Sequence, residues 1–450
     1  MGERAVAAVI LAAGMGTRMK SVLPKVLHPV AGLPMINHIQ KALAPLDPAR
    51  TVVVTSPGQD DVRAAVAPAD TAVQTEALGT GHAVLAAREQ LDGFDGTVLV
   101  LFGDTPLLRT ETIQAMAEIM EGPEDPAVAV LGFRPKDPTL YGRLVTDADG
   151  HLEAIVEHRD CNEAQLKIGF CNAGIMGLDG RVALEFLDRI GNDNSKGEYY
   201  LTDIVAIARA AGRTCVTVEG DPEEVMGVDH RGKLAQAEAV AQRRLRDAAM
   251  AGGATLVMPE TVYFSHDTVI GQDVTVEPNV VFGPGVRIHD NVHIKAFSHL
   301  EGCEVHPEAE IGPYGRLRPG AEIRTGGKIG NFVEVKKAVI EEGAKVNHLT
   351  YIGDARVGRK ANIGAGTITC NYDGFFKYHT DIGAGAFIGS NTALVAPVKI
   401  GDGAIVGAGS TIARDVPADQ LALTRAQQAG NDGWAARFRE TQTAKKNAKK

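Results

Sequence analysis

The first part of the chain alternates short β-forming runs with segments whose apolar residues recur at helical spacing. The strand-like runs are AVAAVILAAG, TVVVTS, GTVLVLFGD and TCVTVEG, and amphipathic segments near 34–44, 81–91 and 110–121 lie between them. Such alternation predicts an α/β domain with a mainly parallel sheet. We expect its ligands at the carboxyl ends of the strands.

Beyond Gly252 the pattern changes, and an aliphatic or aromatic residue recurs every six positions. Three runs keep this register: Ile270, Val276, Phe282, Ile288, Ile294 and Leu300; Ile311, Leu317, Ile323, Ile329 and Val335; Ile382, Ile388, Leu394, Ile400, Val406 and Ile412. A period of six predicts a parallel β-helix, in which each hexapeptide supplies one short strand and one corner around an aliphatic core. The register breaks between Ile363 and Ile382, where we expect an extruded loop that carries function.

Residues 229–250 predict a connecting helix, because they contain no Gly or Pro after Gly232 and place apolar residues at helical spacing. The predicted organisation is therefore an α/β domain over 1–228, this linker, a β-helix over 251–425 and a tail over 426–450. The tail ends in QTAKKNAKK, which we expect to be disordered and solvated.

The amino-acid composition argues against several classes of protein. The chain has 46 Lys and Arg against 56 Asp and Glu, a net charge of -10, which argues against general affinity for nucleic acid or anionic membranes. No stretch approaches the roughly 18 uninterrupted apolar residues of a membrane-spanning helix, and the start shows no cleavable signal, so we expect a cytoplasmic protein. The five cysteines show no CxxC pair, which predicts reduced thiols rather than a zinc site or disulfides.

The first strand-like run leads into LAAGMGTRMKSVLPKVL, a candidate phosphate-binding turn. Gly14 and Gly16 allow close approach of a phosphate, and Arg18 and Lys25 supply positive charge, although the GK[ST] end of a Walker A motif is absent. The segment resembles the GxGTRxxP…PK signature of nucleoside-diphosphate-sugar pyrophosphorylases. In that context Asp104, after the run VLVLFG, predicts a Mg2+ ligand, whereas an isolated Asp there is more often a cap.

Segments along most of the chain, from about residue 4 to 432, extend this resemblance. They are QTEALGTGHA, YGRLV, IVEHRD, GEYYLTDI, GVDHR, RLRPGA, NFVEVKKA, HLTYIGDA and NIGAGTITCNYDG. They resemble the family of bifunctional bacterial N-acetylglucosamine-1-phosphate uridylyltransferase/glucosamine-1-phosphate N-acetyltransferase enzymes. The resemblance implies a Rossmann-like nucleotidyltransferase domain followed by a left-handed parallel β-helix. It also implies a homotrimer with acyl-CoA sites between subunits.

The implied chemistry is acetylation of glucosamine-1-phosphate by acetyl-CoA, followed by transfer of UMP from UTP to N-acetylglucosamine-1-phosphate. Mg2+ would be the cofactor, pyrophosphate the by-product, and UDP-N-acetylglucosamine the product that feeds peptidoglycan and lipopolysaccharide synthesis.

In the first half, the resemblance assigns the nucleotide, sugar and phosphate contacts residue by residue. The uridine contacts are Leu11, Ala12, Ala13, Gly14, Gln74, Gly79 and Thr80; the sugar contacts are Gly142, Glu157 and Asn172; the phosphate contacts are Arg18 and Lys25. The metal ligand beside Asp104 is an Asn in this family, but GVDHR places Asp229 there, at the edge of the nucleotide-sugar site. Asp keeps an oxygen donor and adds a charge, which permits an altered ion preference. Phe102 for Tyr and Ala173 for Thr remove two possible hydroxyl contacts.

In the second half, His348 is the candidate base, because acetyl transfer needs a neutral amine and imidazole titrates near ambient pH. Glu334 could orient it. Arg318 and Lys336 suit a sugar phosphate. The sugar would be placed by Tyr351, Asn362, Asn371 and Tyr372. The resemblance assigns the acetyl-CoA side to Ala365, Ser390, Ala408 and Arg425, with Asn371 and Tyr372 beside them. Small residues at Ala365 and Ala408 would leave a slot for the pantetheine arm.

Three alternatives stay open. Cys370 beside this cluster could form a covalent acetyl intermediate, although no partnered base is evident for it. The β-helix could be only regulatory or structural, leaving a pyrophosphorylase with one activity. The chain could also be a non-catalytic scaffold, although Arg18, Lys25 and Asp104 are all present.

Overall fold

A computed structural model describes residues 4–194 and 196–449, which fall into two units. The first comprises the chain up to Ala248 together with Phe264–His266, and the second comprises Ala249–Tyr263 and the chain from Asp267 onward. Among the described residues, no helix combines the length and the apolar character needed to cross a membrane.

The first unit is built around a mixed β-sheet. Its strands are β1 (Val6–Leu11), β2 (Pro29–Val30), β3 (Leu33–Pro34), β4 (Arg50–Thr55), β5 (Asp70–Val73), β6 (Thr97–Phe102), β7 (Val128–Phe133), β8 (Arg143–Thr146), β9 (Leu152–Val156), β10 (Cys171–Asp179) and β11 (Cys215–Gly220). The main sheet has the order β11-β7-β10-β6-β1-β4-β5, and β2 and β3 form a separate pair. Strand β1 runs parallel to both β4 and β6, so the glycine-rich turn after β1 and Asp104 after β6 emerge at the same sheet edge.

The prediction of a mainly parallel sheet is correct for β1, β4, β5 and β6 but misses strand β10. Strand β10 is antiparallel to β6 and β7, and it also pairs with β8 of the β8–β9 hairpin. This insertion makes the sheet mixed.

Nine helices are described in this part of the chain, and most of them bury apolar residues. They are α1 (Met35–Leu43), α2 (Asp60–Val66), α3 (Thr80–Leu85), α4 (Arg88–Leu91), α5 (Thr110–Met120), α6 (Glu163–Leu166), α7 (Gly180–Asp188), α8 (Ile204–Ala210) and α9 (Arg231–Ala251). The predicted segments near 34–44 and 110–121 correspond to α1 and α5, whereas the segment near 81–91 is divided into α3 and α4. The predicted linker is α9, and its Ala237, Val240 and Ala241 pack against Met35 and Leu107 in a core cluster of the first unit.

The second unit is a column of short parallel strands. The strands are β12 (Thr255–Leu256), β13 (Val269–Ile270), β14 (Thr275–Val276), β15 (Val281–Phe282), β16 (Arg287–Ile288), β17 (His293–Ile294), β18 (His299–Leu300), β19 (Glu304–Val305), β20 (Glu310–Ile311), β21 (Arg316–Leu317), β22 (Ala321–Ile323), β23 (Lys328–Asn331), β24 (Glu334–Ile340), β25 (Lys345–His348), β26 (Tyr351–Val357), β27 (Asn362–Ile363), β28 (Ile368–Cys370), β29 (Thr380–Ile382), β30 (Phe387–Ile388), β31 (Ala393–Val395), β32 (Val398–Ile400), β33 (Ile405–Val406), β34 (Thr411–Ile412) and β35 (Leu421–Ala422).

The pairing of these strands divides the column into three faces, as a β-helix requires. Face one has the order β12-β14-β17-β20-β23-β25-β27-β30-β33-β35. Face two contains β15, β18, β21, β28, β31 and β34, and face three contains β13, β16, β19, β22, β29 and β32; the long strands β24 and β26 run around the corner between faces two and three. Successive coils are therefore hydrogen-bonded at the usual strand spacing of about 4.8 Å.

The six-residue period of apolar positions predicts the core of this column well. Ile294, Ile311 and Ile329 lie in register on face one and are fully or almost fully buried. The six-residue spacing is lost at 335–340 and 352–357, where β24 and β26 continue through a corner. The interruption between Ile363 and Ile382 is shorter than expected, because Ile368–Cys370 forms β28 with Thr369 buried, and the chain leaves the column only after it.

The carboxyl-terminal segment differs from the expected disordered tail. Helix α10 spans Trp434–Ala448, and every described residue in it is exposed. Ala, Lys, Arg, Glu and Gln dominate this segment, and all of them have high helix propensity. The expectation of solvation is correct, and the expectation of disorder is wrong for this helix.

Candidate functional sites

The first unit contains a cavity of about 430 Å3 at the carboxyl ends of its parallel strands. Eight of the nine predicted uridine and phosphate contacts line it, and so does Asp104; the eight are Leu11, Ala12, Ala13, Gly14, Lys25, Gln74, Gly79 and Thr80. Phe102, Glu198 and Tyr200 complete part of the wall, and the last two were not predicted from the sequence. The cavity is therefore lined by apolar residues on one side and by a cation–carboxylate pair on the other.

The glycine-rich turn places its backbone directly over Lys25. Gly16 has a φ of 59°, and a Cβ atom there would lie 2.6 Å from Lys25 Cβ, so a larger residue would force the two segments apart. The Lys25 ammonium group forms an ion pair with Asp104, and both side chains are largely buried. These two charges satisfy each other.

A second carboxylate, Asp229, is held close to Asp104. The backbone N–H of Val228 donates to the carbonyl oxygen of Asp104 at 2.8 Å, which joins the segment GVDHR to the end of β6. Asp229 Oδ2 lies 2.6 Å from Arg18 Nη1, whereas Asp229 Oδ1 is buried, lies 3.7 Å from His230 Nε2 and makes no hydrogen bond to any described residue. A buried carboxylate oxygen without a hydrogen bond is costly unless a ligand satisfies it. Two carboxylates with one unsatisfied oxygen fit a Mg2+ ion, whose usual protein ligands are one or two carboxylates.

The segment predicted to contact uridine is fixed by backbone geometry. Gly79 has a φ of 107°, and a Cβ atom there would lie 2.6 Å from the carbonyl oxygen of Tyr199. The Leu201 N–H donates to Thr80 Oγ1 at 3.1 Å, and Gln74 Nε2 donates to the Gly79 carbonyl at 3.1 Å. The buried Gln74 therefore holds the loop as well as lining the cavity.

The three predicted sugar contacts come together on the β8–β9 hairpin and β10. The Asn172 N–H donates to the Gly142 carbonyl at 2.8 Å, and a Cβ atom on Gly142 would lie 3.4 Å from Glu157 Oε1. Arg143, which is 1 % exposed, donates to the Pro138 carbonyl at 2.8 Å and to the Tyr141 carbonyl. Sequence reasoning missed this arginine, whose role is to hold the loop that presents Gly142.

The second candidate site lies on the β-helix, where cations gather on face two. Arg318 directly follows β21 and Lys336 lies on β24 one coil later, because the preceding residues Leu317 and Val335 are paired. Arg318 Nη1 donates to Glu334 Oε1 at 2.8 Å, and this bond raises the pKa of Arg318. The side chain of Lys377 contacts Lys336 and lowers the pKa of Lys336. Sequence reasoning missed Lys377 because it lies in the loop after β28, far from any repeat position.

His348 lies at the end of β25 and is oriented by an asparagine. Its Nδ1 lies 2.6 Å from Asn331 Oδ1, and the two residues are paired on neighbouring strands of face one. An Nδ1–H that donates to this oxygen leaves Nε2 with its lone pair, the form that accepts a proton. We expected Glu334 to orient His348, but Glu334 pairs with Arg318. The 17-residue spacing of Asn331 and His348, one coil of the column, could have revealed this partner.

A column of small residues extends from His348 along the same corner. Because Val346, Ile363, Ile388 and Val406 are in register, the residues two positions later stack in successive coils. These residues are His348, Ala365, Ser390 and Ala408. Arg425 Nη1 donates to the Ala408 carbonyl at 2.7 Å and lies beyond the end of the column. Three small side chains therefore follow the imidazole along one corner of the column.

The remaining predicted contacts do not all lie on one face. Tyr351 and Asn371 lie together on face two, with Asn371 Nδ2 3.4 Å from the Tyr351 hydroxyl and 2.5 Å from Asp354 Oδ2. Asn362 begins β27 on face one, on the other side of the corner that carries His348. Tyr372 is exposed, and its hydroxyl donates to the Gly374 carbonyl at 2.6 Å. A convex corner thus separates Asn362 from the cations of face two within one chain.

All five cysteines are free thiols. Burial raises the pKa of Cys215 to about 11 and that of Cys303 to about 12, so both are unreactive. Cys370, the alternative acetyl carrier, lies at the end of β28 beside Asn371 and is half-buried.

Comparison with family models matches each unit separately. Residues 8–164 match the MobA-like NTP transferase domain. Residues 267–302 and 379–414 match the bacterial transferase hexapeptide model, which describes six repeats.

Curated relatives match along the whole chain. The bifunctional protein GlmU of Paramagnetospirillum magneticum is 60% identical over 449 residues, which cover 100% of both chains. The bifunctional protein GlmU of Rhodospirillum rubrum is 64% identical over 433 residues, or 96% of this chain and 97% of the relative. The protein of the same name from Rhizorhabdus wittichii is 59% identical over 452 residues, again 100% of both chains.

Proposed function

The chain belongs to the family of bifunctional proteins GlmU, and we propose that its two sites carry out consecutive steps of UDP-N-acetylglucosamine synthesis. The β-helix acetylates glucosamine-1-phosphate with acetyl-CoA, and the α/β unit then transfers UMP from UTP to N-acetylglucosamine-1-phosphate. The observation that carries this proposal is the presence of two separate cationic sites, Lys25 with Arg18 in one unit and Arg318 with Lys336 in the other. Each suits a phosphorylated ligand that the acidic chain would otherwise repel.

In the acetyl transfer, the amine nitrogen of glucosamine-1-phosphate attacks the thioester carbonyl of acetyl-CoA. The new C–N bond forms as the C–S bond breaks, and coenzyme A leaves as its thiolate. His348 Nε2 takes the proton from the amine, because Asn331 holds the other ring nitrogen as a donor. Arg318 and Lys336 bind the sugar phosphate, Tyr351 and Asn362 place the sugar, and Asn371 and Tyr372 lie next to the acetyl group. Direct transfer leaves no covalent role for Cys370.

The acyl-CoA arm lies along the groove over Ala365, Ser390 and Ala408, and Arg425 binds a phosphate of the nucleotide end. Residues with longer side chains at Ala365 or Ala408 would fill this groove.

In the uridylyl transfer, a phosphate oxygen of N-acetylglucosamine-1-phosphate attacks the α-phosphorus of UTP. The bond to that oxygen forms as the bond to pyrophosphate breaks, so the nucleophile is already an anion and needs no strong base. Lys25 and Arg18 neutralise the crowded phosphate charge and align the attack. The uridine lies against Leu11, Ala12, Ala13 and Gly14, where Gln74, Gly79 and Thr80 recognise it, and Gly142, Glu157 and Asn172 bind the sugar.

Asp104 and Asp229 hold the Mg2+ ion in this proposal. A bound Mg2+ supplies charge neutralisation at the triphosphate. Asp104 would then be shared between the ion and Lys25, and the Lys25 ammonium group would be available to the substrate phosphates. The carboxylate of Asp229 in place of an amide adds a negative charge to the site and strengthens its hold on divalent ions.

We further propose a homotrimer located in the cytoplasm, where acetyl-CoA and UTP are available. A small sugar cannot touch both Asn362 on face one and Lys336 on face two of the same convex column, so a neighbouring subunit supplies one of them. Four exposed apolar side chains also line the corner beside His348, namely Phe297, Tyr314, Phe332 and Leu349. Multi-angle light scattering should give three times the 47.5 kDa mass of the chain, and a monomer active in acetyl transfer would contradict the proposal.

Two assays on the purified chain test the proposed activities separately. Glucosamine-1-phosphate with acetyl-CoA should release a free thiol, and N-acetylglucosamine-1-phosphate with UTP and Mg2+ should release pyrophosphate. A pyrophosphorylase with a merely structural β-helix would give the second signal alone, and a scaffold would give neither.

A further inference from the structure

Face three of the β-helix carries a group of imidazoles and carboxylates that neither proposed reaction uses. His289 follows β16, Glu304 begins β19, and His306 follows β19 one coil later, so that the two histidines stack directly above one another. Their rings are parallel, with centroids 5.0 Å apart and an interplanar angle of 8°. One potential ligand atom from each of these three residues lies within 4.8 Å of the others.

The contacts within this group show that it is incompletely satisfied. His289 Nε2 lies 2.7 Å from Glu304 Oε1. His306 Nε2 lies 3.2 Å from Glu322 Oε1, yet it is buried and makes no aligned hydrogen bond to any described residue. A buried ring nitrogen that has a charged neighbour but no aligned hydrogen bond carries a desolvation cost that a bound cation would remove.

We propose that His289, His306 and Glu304 form a binding site for a divalent transition-metal ion of the zinc class. Two imidazoles and one carboxylate are typical ligands of zinc and related ions, and they are less suited to Mg2+. Ligand atoms of a tetrahedral zinc ion lie about 2.0–2.2 Å from the metal, so modest side-chain rotations must draw the three atoms together. The site is distinct from the Mg2+ site at Asp104, which offers only oxygen.

The surroundings of the site make Glu304 the carboxylate ligand. Glu304 Oε1 already lies 2.7 Å from His289 Nε2, so this carboxylate is next to one of the proposed ligand nitrogens. Glu322 instead accepts from Arg324 Nε at 3.1 Å and would remain outside the first ligand set. A metal bound here would link the coil of His289 to the coil of His306, and its effect on the column would be stabilising.

The test is equilibrium dialysis of the full-length protein against Zn2+ in the presence of saturating Mg2+, with elemental analysis of the bound metal. We expect one Zn2+ per chain, and at least about 100-fold weaker binding in the double variant H289A/H306A. The matched control is H293A, because His293 also pairs with a glutamate, Glu277 at 2.9 Å, but lies on face one without a second histidine. H293A should bind zinc as the unmodified protein does.

Failure to bind Zn2+ stoichiometrically, or equal binding by the double variant, would overturn the proposal. If the double variant does not fold, the proposal is tested by the electron paramagnetic resonance spectrum of Cu2+ bound to the unmodified protein. Coupling to two nitrogens supports the site, and coupling to none rejects it.

Discussion

Replacing Lys25 with alanine should reduce uridylyl transfer strongly without affecting acetyl transfer. The Lys25 side chain is 17% exposed, and its ammonium group forms an ion pair with Asp104 at the wall of the nucleotide cavity. In the proposed substrate complex it faces phosphate oxygens at a largely desolvated position. Loss of one such charge-assisted donor from a preorganised site costs about 2–4 kcal/mol in transition-state stabilisation. At 1.36 kcal/mol per factor of ten, this is roughly a 30- to 1,000-fold decrease in kcat/KM.

The measurement is pyrophosphate release under saturating Mg2+, compared with thiol release in the acetyl-transfer assay on the same sample. Lys25→Met separates charge from packing, because it keeps the aliphatic stem that contacts the Gly16 turn, and it should lose as much activity as Lys25→Ala. Lys20→Ala is the matched control, since Lys20 is an exposed cation on the same turn. Equal losses of both activities in Lys25→Ala, or an equal effect of Lys20→Ala, would refute the reasoning.

Three further predictions concern other parts of the chain. His348→Ala should nearly abolish acetyl transfer while Cys370→Ala slows it only modestly, and the opposite ranking in a thiol-release assay would favour a covalent route. Asp229→Asn should raise the Mg2+ concentration needed for half-maximal uridylyl transfer and leave acetyl transfer unchanged; an unaltered Mg2+ titration would remove Asp229 from the metal site. Hydrogen bonds from Lys328 and Lys295 lower the pKa of Glu310 to about 2, so its stabilising effect is complete above the unfolded pKa and is lost as the pH falls. Glu310→Gln should therefore lower Tm at pH 7 more than at pH 3, and a pH-independent difference would contradict this.

The β-helix could be predicted from the sequence in unusual detail because each coil repeats the same physical requirement. A side chain such as Ile294 must fill the interior of the column, and the same requirement recurs at Ile311 one coil later. The pattern fails where the chain no longer places an aliphatic side chain in the interior once every six residues. Strands β24 and β26 turn a corner without a break, and Thr369 fills an interior position with a polar side chain that hydrogen-bonds to the backbone. A search for regularly spaced aliphatic residues cannot detect an interior position that is occupied by threonine.

The candidate site residues that lie in motifs could be proposed from the sequence, whereas residues that act through tertiary contacts could not. Lys25 and Asp104 stand next to recognisable strand ends, and the parallel pairing of β1 with β6 brings them together. Arg143 and Asn331 were missed because a buried arginine that binds carbonyl groups and an asparagine that orients an imidazole have no local signature. Their roles depend on partners that only the folded chain brings near.

The central claim is that one chain contains two independent sites that act in a fixed order. Mass spectrometry of the products of one reaction tests it most directly. The protein is incubated with glucosamine-1-phosphate, acetyl-CoA, UTP and Mg2+, and each component is omitted in turn. The complete mixture should yield UDP-N-acetylglucosamine, and omission of UTP should leave N-acetylglucosamine-1-phosphate. Formation of a uridylylated sugar without acetyl-CoA, or the absence of any acetylated product, would contradict the account.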